Sequence, residues 1–303
     1  MSVKRRDVIL NTDAHLPARD QFVEHLNQVT RREGWRNHEA ISYWLDASFR
    51  SMRGAVLQFR PDDLAKNEAE YMRIVKRCRH PSDTMTDLAS MLGACTLALE
   101  ASPIDFIGPV FGEFASSGEL GQFFTPYHVS KMMADMIIGD ADKMLAESGR
   151  GFLTLQEPAC GVGGMALAAC EVLRDRGFDL ARQVHWTMID IDYTATCAAY
   201  IQMNLCGASA DVFHGNTLSL NTWLSTPTLA AIMHPKRVSG GPSAGQKSEP
   251  LPIDLPAPAV AIVAQRAADK PLRPKKPQAP MDFGLFGDGH LQTDLVDMAR
   301  RRP

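Results

Sequence analysis

Nowhere in these 303 residues does an apolar run approach the ~18 residues that a membrane-spanning helix needs. The basic N-terminus, "MSVKRRDVILNTDAHLPARD", is followed by no sustained apolar segment. The reading is a chain with neither signal peptide nor membrane span. Cysteine patterning is also missing: Cys78, Cys95, Cys160, Cys170, Cys197 and Cys206 show no CxxC spacing, and four of them stand among apolar or small residues. Reduced core thiols in a cytoplasmic protein are expected, and no metal ligands are assigned. There is no excess of one charge either, with 32 Lys and Arg against 35 Asp and Glu and a net charge of −3. Contact with nucleic acid therefore has to come from local patches rather than a global basic field.

What is present is apolar content of 45%, ample for a sizeable core. From about Ala18 to Ala115 the segments "RDQFVEHLNQVTRRE", "HEAISYWLDASFRSMRGAV", "PDDLAKNEAEYMRIVKRC" and "SDTMTDLASMLGACTLALEA" repeat apolar residues at spacings of three and four. These predict helices, with starts at Pro61 and at Ser82 and Asp83 after Pro81, capped by Asp or Ser. The rhythm then changes. "FLTLQ", "VHWTMID" and "DVFHG" read as strands, separated by helical patterns over Gly164 to Arg176 and Thr194 to Leu205. Strand, helix, strand, helix, strand is the first half of a doubly wound parallel sheet. From His234 onward proline, charge and small residues dominate, predicting a disordered tail. The expected domains are residues 1–115, helical; 116–233, α/β; and 234–303, the tail.

In an open parallel sheet the ligand sits at the carboxyl ends of the strands, so the loop after the first strand is the place to look. It reads "EPACGVGGM". Gly161, Gly163 and Gly164 allow a sharp turn and a close approach to main-chain N–H groups. The loop holds no GxGxxG and no Lys-Ser/Thr pair, which argues against dinucleotide or phosphate binding. Instead Glu157 precedes it. A carboxylate there repels pyrophosphate but attracts a cationic amino group. Asp190, ending the second strand, stands where an acid commonly binds ribose hydroxyls. A nucleoside bearing an amino acid satisfies both acids, and S-adenosylmethionine is the obvious ligand.

"GQFFTP" (Gly121 to Pro126), then "EPACGVGG" about 30 residues later, then "MIDIDYTATCAAYIQMNLCG" and "HGNTLS" resemble the ordered motifs of adenine-N6 DNA methyltransferases. The nearest likeness is to the modification subunits of type I restriction systems, which also carry a helical domain ahead of the catalytic one. The resemblance implies a Rossmann-like S-adenosylmethionine-dependent methyltransferase sheet and a DNA substrate. It implies that Phe124, Thr125 and Pro126 hold the methionine end, Thr125 donating to its carboxylate. Glu157, where the family usually has Asp, takes the amino group, and Pro158, Ala159, Cys160, Gly161 and Gly163 form the loop. Asp190 binds the ribose, with Asp192 in reserve, and Asn216 accepts from the adenine amino group through its side-chain carbonyl.

The same resemblance exposes a gap. The family's Asp/Asn-Pro-Pro-Tyr/Phe motif accepts the hydrogens of the target amine and stacks an aromatic ring on the flipped base. No such tetrapeptide occurs in the chain. The expected region offers only Ser225-Thr226-Pro227-Thr228, with no carboxamide and no aromatic residue. The catalytic residues are thus unassigned, and the sheet is expected to be incomplete. The chain is then either a degenerate methyltransferase that binds cofactor or one completed by a partner subunit.

Local basic clusters are "VKRR", "TRREGWR", "RSMR" and "RIVKRCRH"; in the last, Arg73, Lys76, Arg77 and Arg79 crowd a helix end where they could grip phosphates. In the tail, "PMDFGLFGDG" is an apolar island of the kind that serves as a docking peptide. The rival class is a non-catalytic DNA-associated scaffold or assembly module.

Overall fold

The structure is a computed structural model, and it describes residues 15–114 and 125–236. Phe124, "VKRR" and everything after Lys236, including "PMDFGLFGDG" and the terminal "LQTDLVDMARRR", lie outside the described residues.

The helical periodicity of the first hundred residues becomes α1 (Leu16–Glu33), α2 (Asn37–Val56), α3 (Pro61–Arg77) and α4 (Pro81–Ala101), followed by a short α5 (Ile107–Phe114). Phe22, Leu26 and Val29, spaced four and three apart on α1, are wholly buried in the core that α4 helps to form. Phe22 meets Trp44 of α2 edge-on, ring centroids 4.7 Å apart. Proline opens both α3 and α4, where its missing N–H costs nothing.

The expected Asp or Ser caps are not used: neither helix has a side-chain cap on its N-cap residue. The start of α4 is held from a distance instead. Glu33, 1% exposed at the end of α1, accepts from the backbone N–H of Arg79 at 2.6 Å, from that of His80 at 3.1 Å and from the Thr84 hydroxyl. Burial pushes the Glu33 carboxyl up, but the hydrogen bonds from Thr84, Arg79 and His80 outweigh it and hold it below its ordinary 4.5. A buried charged acceptor displaces the local caps because it satisfies three donors at once.

The second half comprises α6 (Tyr127–Ile137), α7 (Ala141–Ser148), β1 (Leu153–Glu157), α8 (Gly164–Asp175), β2 (Val184–Asp190), α9 (Tyr193–Leu205), β3 (Ala210–Asn216), β4 (Asn221–Pro227) and α10 (Leu229–Met233). The sheet runs β1-β2-β3-β4; the first three strands are parallel and β4 is antiparallel to β3. Among the described residues the architecture is mixed α/β, with ten helices and one small four-stranded sheet. The three expected strands and both crossover helices are where the sequence puts them.

β4 is the surprise, and it disposes of the one internal substitute for the missing tetrapeptide. Asn221 lies opposite Asn216, while Pro227 lies opposite Asp211. Ser225 to Thr228 therefore run beside the beginnings of the parallel strands, at the end of the sheet away from the glycine loop. Thr226 is buried and accepts from Arg53 Nε at 2.9 Å. The Thr228 hydroxyl accepts from Ala210 N–H, donates to the Ala208 carbonyl and caps α10. These side chains hold the fold.

α9 packs on β2 and β3 with one side and on α2 and α4 with the other. Its Tyr193 hydroxyl donates to Asp46 Oδ1 at 2.6 Å and accepts from Arg50 Nη2 at 2.9 Å. Its buried Gln202 accepts from the backbone N–H groups of Phe106 and Ile107 at 3.0 and 3.1 Å and donates to the Val162 carbonyl and Asp105 Oδ1, both at 2.9 Å. Arg50 and Arg53, the ends of the basic cluster "RSMR", are internal ties, because Asp46, Tyr193, Asn67 and Thr226 engage them. Arg73, Lys76, Arg77 and Arg79 are exposed. All six cysteines are free thiols, five of them buried. Among the described residues no helix is long and apolar enough to cross a membrane.

Candidate functional site

The loop after β1 is shaped by its glycines and tied to the end of β2. Cys160 N–H donates to the Ile189 carbonyl at 2.9 Å, and Gly161 N–H donates to Asp190 Oδ2 at 2.6 Å. Gly161 has φ +52° and Gly163 φ +96°, both in the region that favours glycine. At Gly163 the space is closed as well, since a Cβ there would stand 3.3 Å from the Ala199 Cα on α9. Gly163→Ala is accordingly expected to cost about 1–3 kcal/mol. An unchanged denaturation midpoint would contradict this account of the loop.

The carboxylates predicted from sequence converge on this loop. Glu157 ends β1 and its Oε1 accepts from Ala159 N–H at 3.4 Å. Burial pushes the Glu157 carboxyl up and neighbouring Asp190 adds to the effect, against the Ala159 hydrogen bond. Asp190 ends β2; besides Gly161 it accepts from Asp192 N–H at 2.8 Å through Oδ1. Asp192 Oδ1 caps α9 by accepting from Ala195 N–H at 2.8 Å, so the reserve assignment for the ribose has a structural duty.

The remaining predicted residues divide. Thr125 and Pro126 are exposed at the start of α6, and α6 is fastened to α8 by Tyr127 Oη and Lys131 Nζ, which donate to Glu171 at 2.8 and 2.7 Å. Pro158 and Ala159 are exposed on the loop, and the Pro158 carbonyl accepts from the Thr217 hydroxyl at 2.5 Å. Cys160 is buried, its thiol pushed well above the ordinary range by burial, Asp190 and Glu157; it packs the loop and offers no thiolate. The Asn216 side-chain carbonyl accepts from Leu218 and Ser219 N–H at 2.9 and 3.2 Å. Both its lone pairs therefore go to the turn after β3, where sequence reasoning had assigned them to an adenine amino group.

A cavity of about 170 Å³ opens beside the loop, lined by Asp105, Thr125, Ser130, Glu157, Cys160 and Gly161 among others. It brings Thr125 of the "FTP" motif and Glu157 of the "EPACGVGG" motif around one space. Asp105 and Ser130 were not foreseen; neither stands in a recognisable motif, although Ser130 lies one helical turn beyond Pro126. Ile191, 62% exposed directly after Asp190, was also missed. It gives Asp190 an apolar neighbour on an open surface. A larger hollow of about 410 Å³, lined by Arg150, Phe152, Arg182 and Lys236, sits at the opposite end of the strands and contains none of the predicted residues.

Two motifs thus meet around one cavity at the carboxyl ends of parallel strands, the usual place for a ligand in an open α/β sheet. A search of the curated proteins finds no match. Residues 110–236 match the family model described as N-6 DNA Methylase. On this match, which spans less than half of the chain, residues 110–236 are similar to N-6 DNA methylases.

Proposed function

We propose that the chain binds S-adenosylmethionine at the carboxyl ends of β1 and β2 and contributes the cofactor-binding part of a DNA adenine-N6 methyltransferase. The observation that carries the reading is the convergence of Glu157, Gly161 and Asp190, with Thr125, at one end of the sheet. The residues fit the ligand's groups. Glu157 would take the cationic amino group, Thr125 would donate to the carboxylate, Asp190 would accept from the ribose hydroxyls and Ile191 would offer the adenine an apolar surface. When bound, the cofactor supplies an electrophilic methyl group on a sulfonium.

The base-handling half comes from elsewhere in this reading. No Asn-Pro-Pro-Tyr/Phe occurs in the sequence, and Thr226 and Thr228 are engaged at the opposite end of the sheet. A partner subunit then supplies the tetrapeptide, and a separate specificity subunit reads the DNA, as in type I restriction and modification. Incubation with methyl-labelled cofactor and adenine-containing duplex DNA tests both parts. Label retained by the protein and none in the DNA is expected. Label in the DNA would overturn the division of labour, and label on neither would overturn cofactor binding in favour of a scaffold.

The raised Glu157 carboxyl gives a pH signature. It protonates above its ordinary 4.5, and the protonated form no longer attracts an ammonium. Cofactor affinity should fall as the solution is acidified from neutrality toward the ordinary carboxylate range. Asp105 and Cys160 line the same cavity and Asp190 stands beside Glu157, so Glu157→Gln should flatten this dependence without abolishing it. A dissociation constant independent of pH would contradict the role.

A further inference from the structure

The helical half of the protein delivers a second carboxylate to the cavity beside the glycine loop. Asp105 lies in the turn that opens α5, and both of its hydrogen bonds fall on one oxygen: Oδ1 accepts from Gly108 N–H at 2.8 Å and from Gln202 Nε2 at 2.9 Å. The other oxygen, Oδ2, points at the beginning of α8, where it would stand 3.0 Å from a Cβ on Gly164. Glycine at that position keeps the acid against the loop. Gln202 fixes the arrangement from the other side, since the same amide nitrogen also donates to the Val162 carbonyl of the loop.

An independent observation marks the cavity as built for a polar guest. Ser130 on α6 is 1% exposed and lines the same space, yet its hydroxyl has no hydrogen-bond partner among the described residues. A buried hydroxyl left without a partner costs roughly 1–3 kcal/mol, so such groups ordinarily find one. Ser130 can both donate and accept. Its cavity thus holds two acids, Asp105 and Glu157, and two hydroxyls, Ser130 and Thr125. Burial pushes both carboxyls up, against the hydrogen bonds they receive, so a cation between them relieves both.

We infer that Asp105 and Ser130 form, with Glu157 and Thr125, a receptor for a zwitterionic α-amino-acid group, Asp105 and Glu157 taking its ammonium and Ser130 and Thr125 its carboxylate. The volume agrees. About 170 Å³ is below the ~300 Å³ of a whole-ligand pocket, and it suits an amino-acid head whose nucleoside continues over Asp190 and Ile191. The inference rests on the cofactor reading above and adds that residues of two different regions, α5 and α6, share recognition of one end of the ligand. Neither acid alone then defines the site.

Calorimetry with S-adenosylhomocysteine and with 5′-methylthioadenosine, which carries the same nucleoside without the amino acid, tests this. For Asp105→Asn and Ser130→Ala, homocysteine-nucleoside affinity should fall about ten- to hundredfold, the loss of one charge-assisted or one buried hydrogen bond. Affinity for 5′-methylthioadenosine should stay within about twofold. Asn at 105 retains an acceptor for Gly108 and Gln202, and the 5′-methylthioadenosine arm reports whether the fold is intact. Equal losses for both ligands, or no loss for either, would overturn the inference while leaving the cofactor reading standing. If the native chain binds neither nucleoside, the cofactor reading itself falls, and this inference with it.

Discussion

Asp190→Ala should weaken S-adenosylmethionine binding by at least about 100-fold, close to the limit of calorimetric detection. Two effects combine. The ribose loses the carboxylate expected to accept from its hydroxyls, a charge-assisted pair worth about 1.5–3 kcal/mol. The empty loop also loses its clasp, because Gly161 N–H and Asp192 N–H both donate to this side chain. The neighbouring acid separates the two duties. Asp192→Ala removes the cap of α9 and should cost about 1 kcal/mol of stability, with cofactor affinity changed far less. Equal affinity losses in the two variants would mean that the ribose acid had been misassigned.

Glu33→Ala should lower the stability of the helical region by about 2–4 kcal/mol. The alanine leaves Arg79 N–H, His80 N–H and the Thr84 hydroxyl without their acceptor at the start of α4. For a domain of this size the midpoint of thermal unfolding should drop by roughly 5–15 °C. The sign with pH follows from linkage. The Glu33 carboxyl is held below its ordinary 4.5, so its contribution is fully present above that value and disappears as the pH falls through its depressed native value. Native and Glu33→Ala proteins should therefore converge in stability as acid is added. A difference that persists undiminished in acid would mean that packing, rather than the ionised carboxylate, is responsible.

The parts of the fold that could be read from sequence are those whose signal is local. Phe22, Leu26 and Val29 announce a buried helical face, and "FLTLQ", "VHWTMID" and "DVFHG" are dense in β-branched or aromatic residues. β4 was not legible because its burial pattern is mostly exposed and carries no clean alternation; only pairing with β3 makes it a strand. Glu33 is another instance, since nothing in "TRREG" says that the acid will cap a helix nearly fifty residues away. In the site, Glu157, Gly161, Gly163 and Asp190 could be found because strand order fixes where they fall. Asp105 and Ser130 could not. They reach the loop through the packing of α5 and α6 against α8 and α9, a tertiary fact without a sequence period.

The acids and glycines at the strand ends also distinguish two properties that a family resemblance tends to merge. Binding a cofactor draws on the ends of β1 and β2, the loop after β1 and the cavity beside it. Activating an adenine amine needs acceptors and an aromatic surface on the far side of the methyl group. This chain has residues suited to the first task, while its Thr226 and Thr228 are committed to the fold.

The central claim is that the acid-flanked glycine loop is a cofactor site, and isothermal titration of the purified chain with S-adenosylmethionine tests it most directly. The account predicts saturable heat at one site per chain, lost in Asp190→Ala. No heat above dilution from a folded native protein would contradict it and leave the sheet as a scaffold.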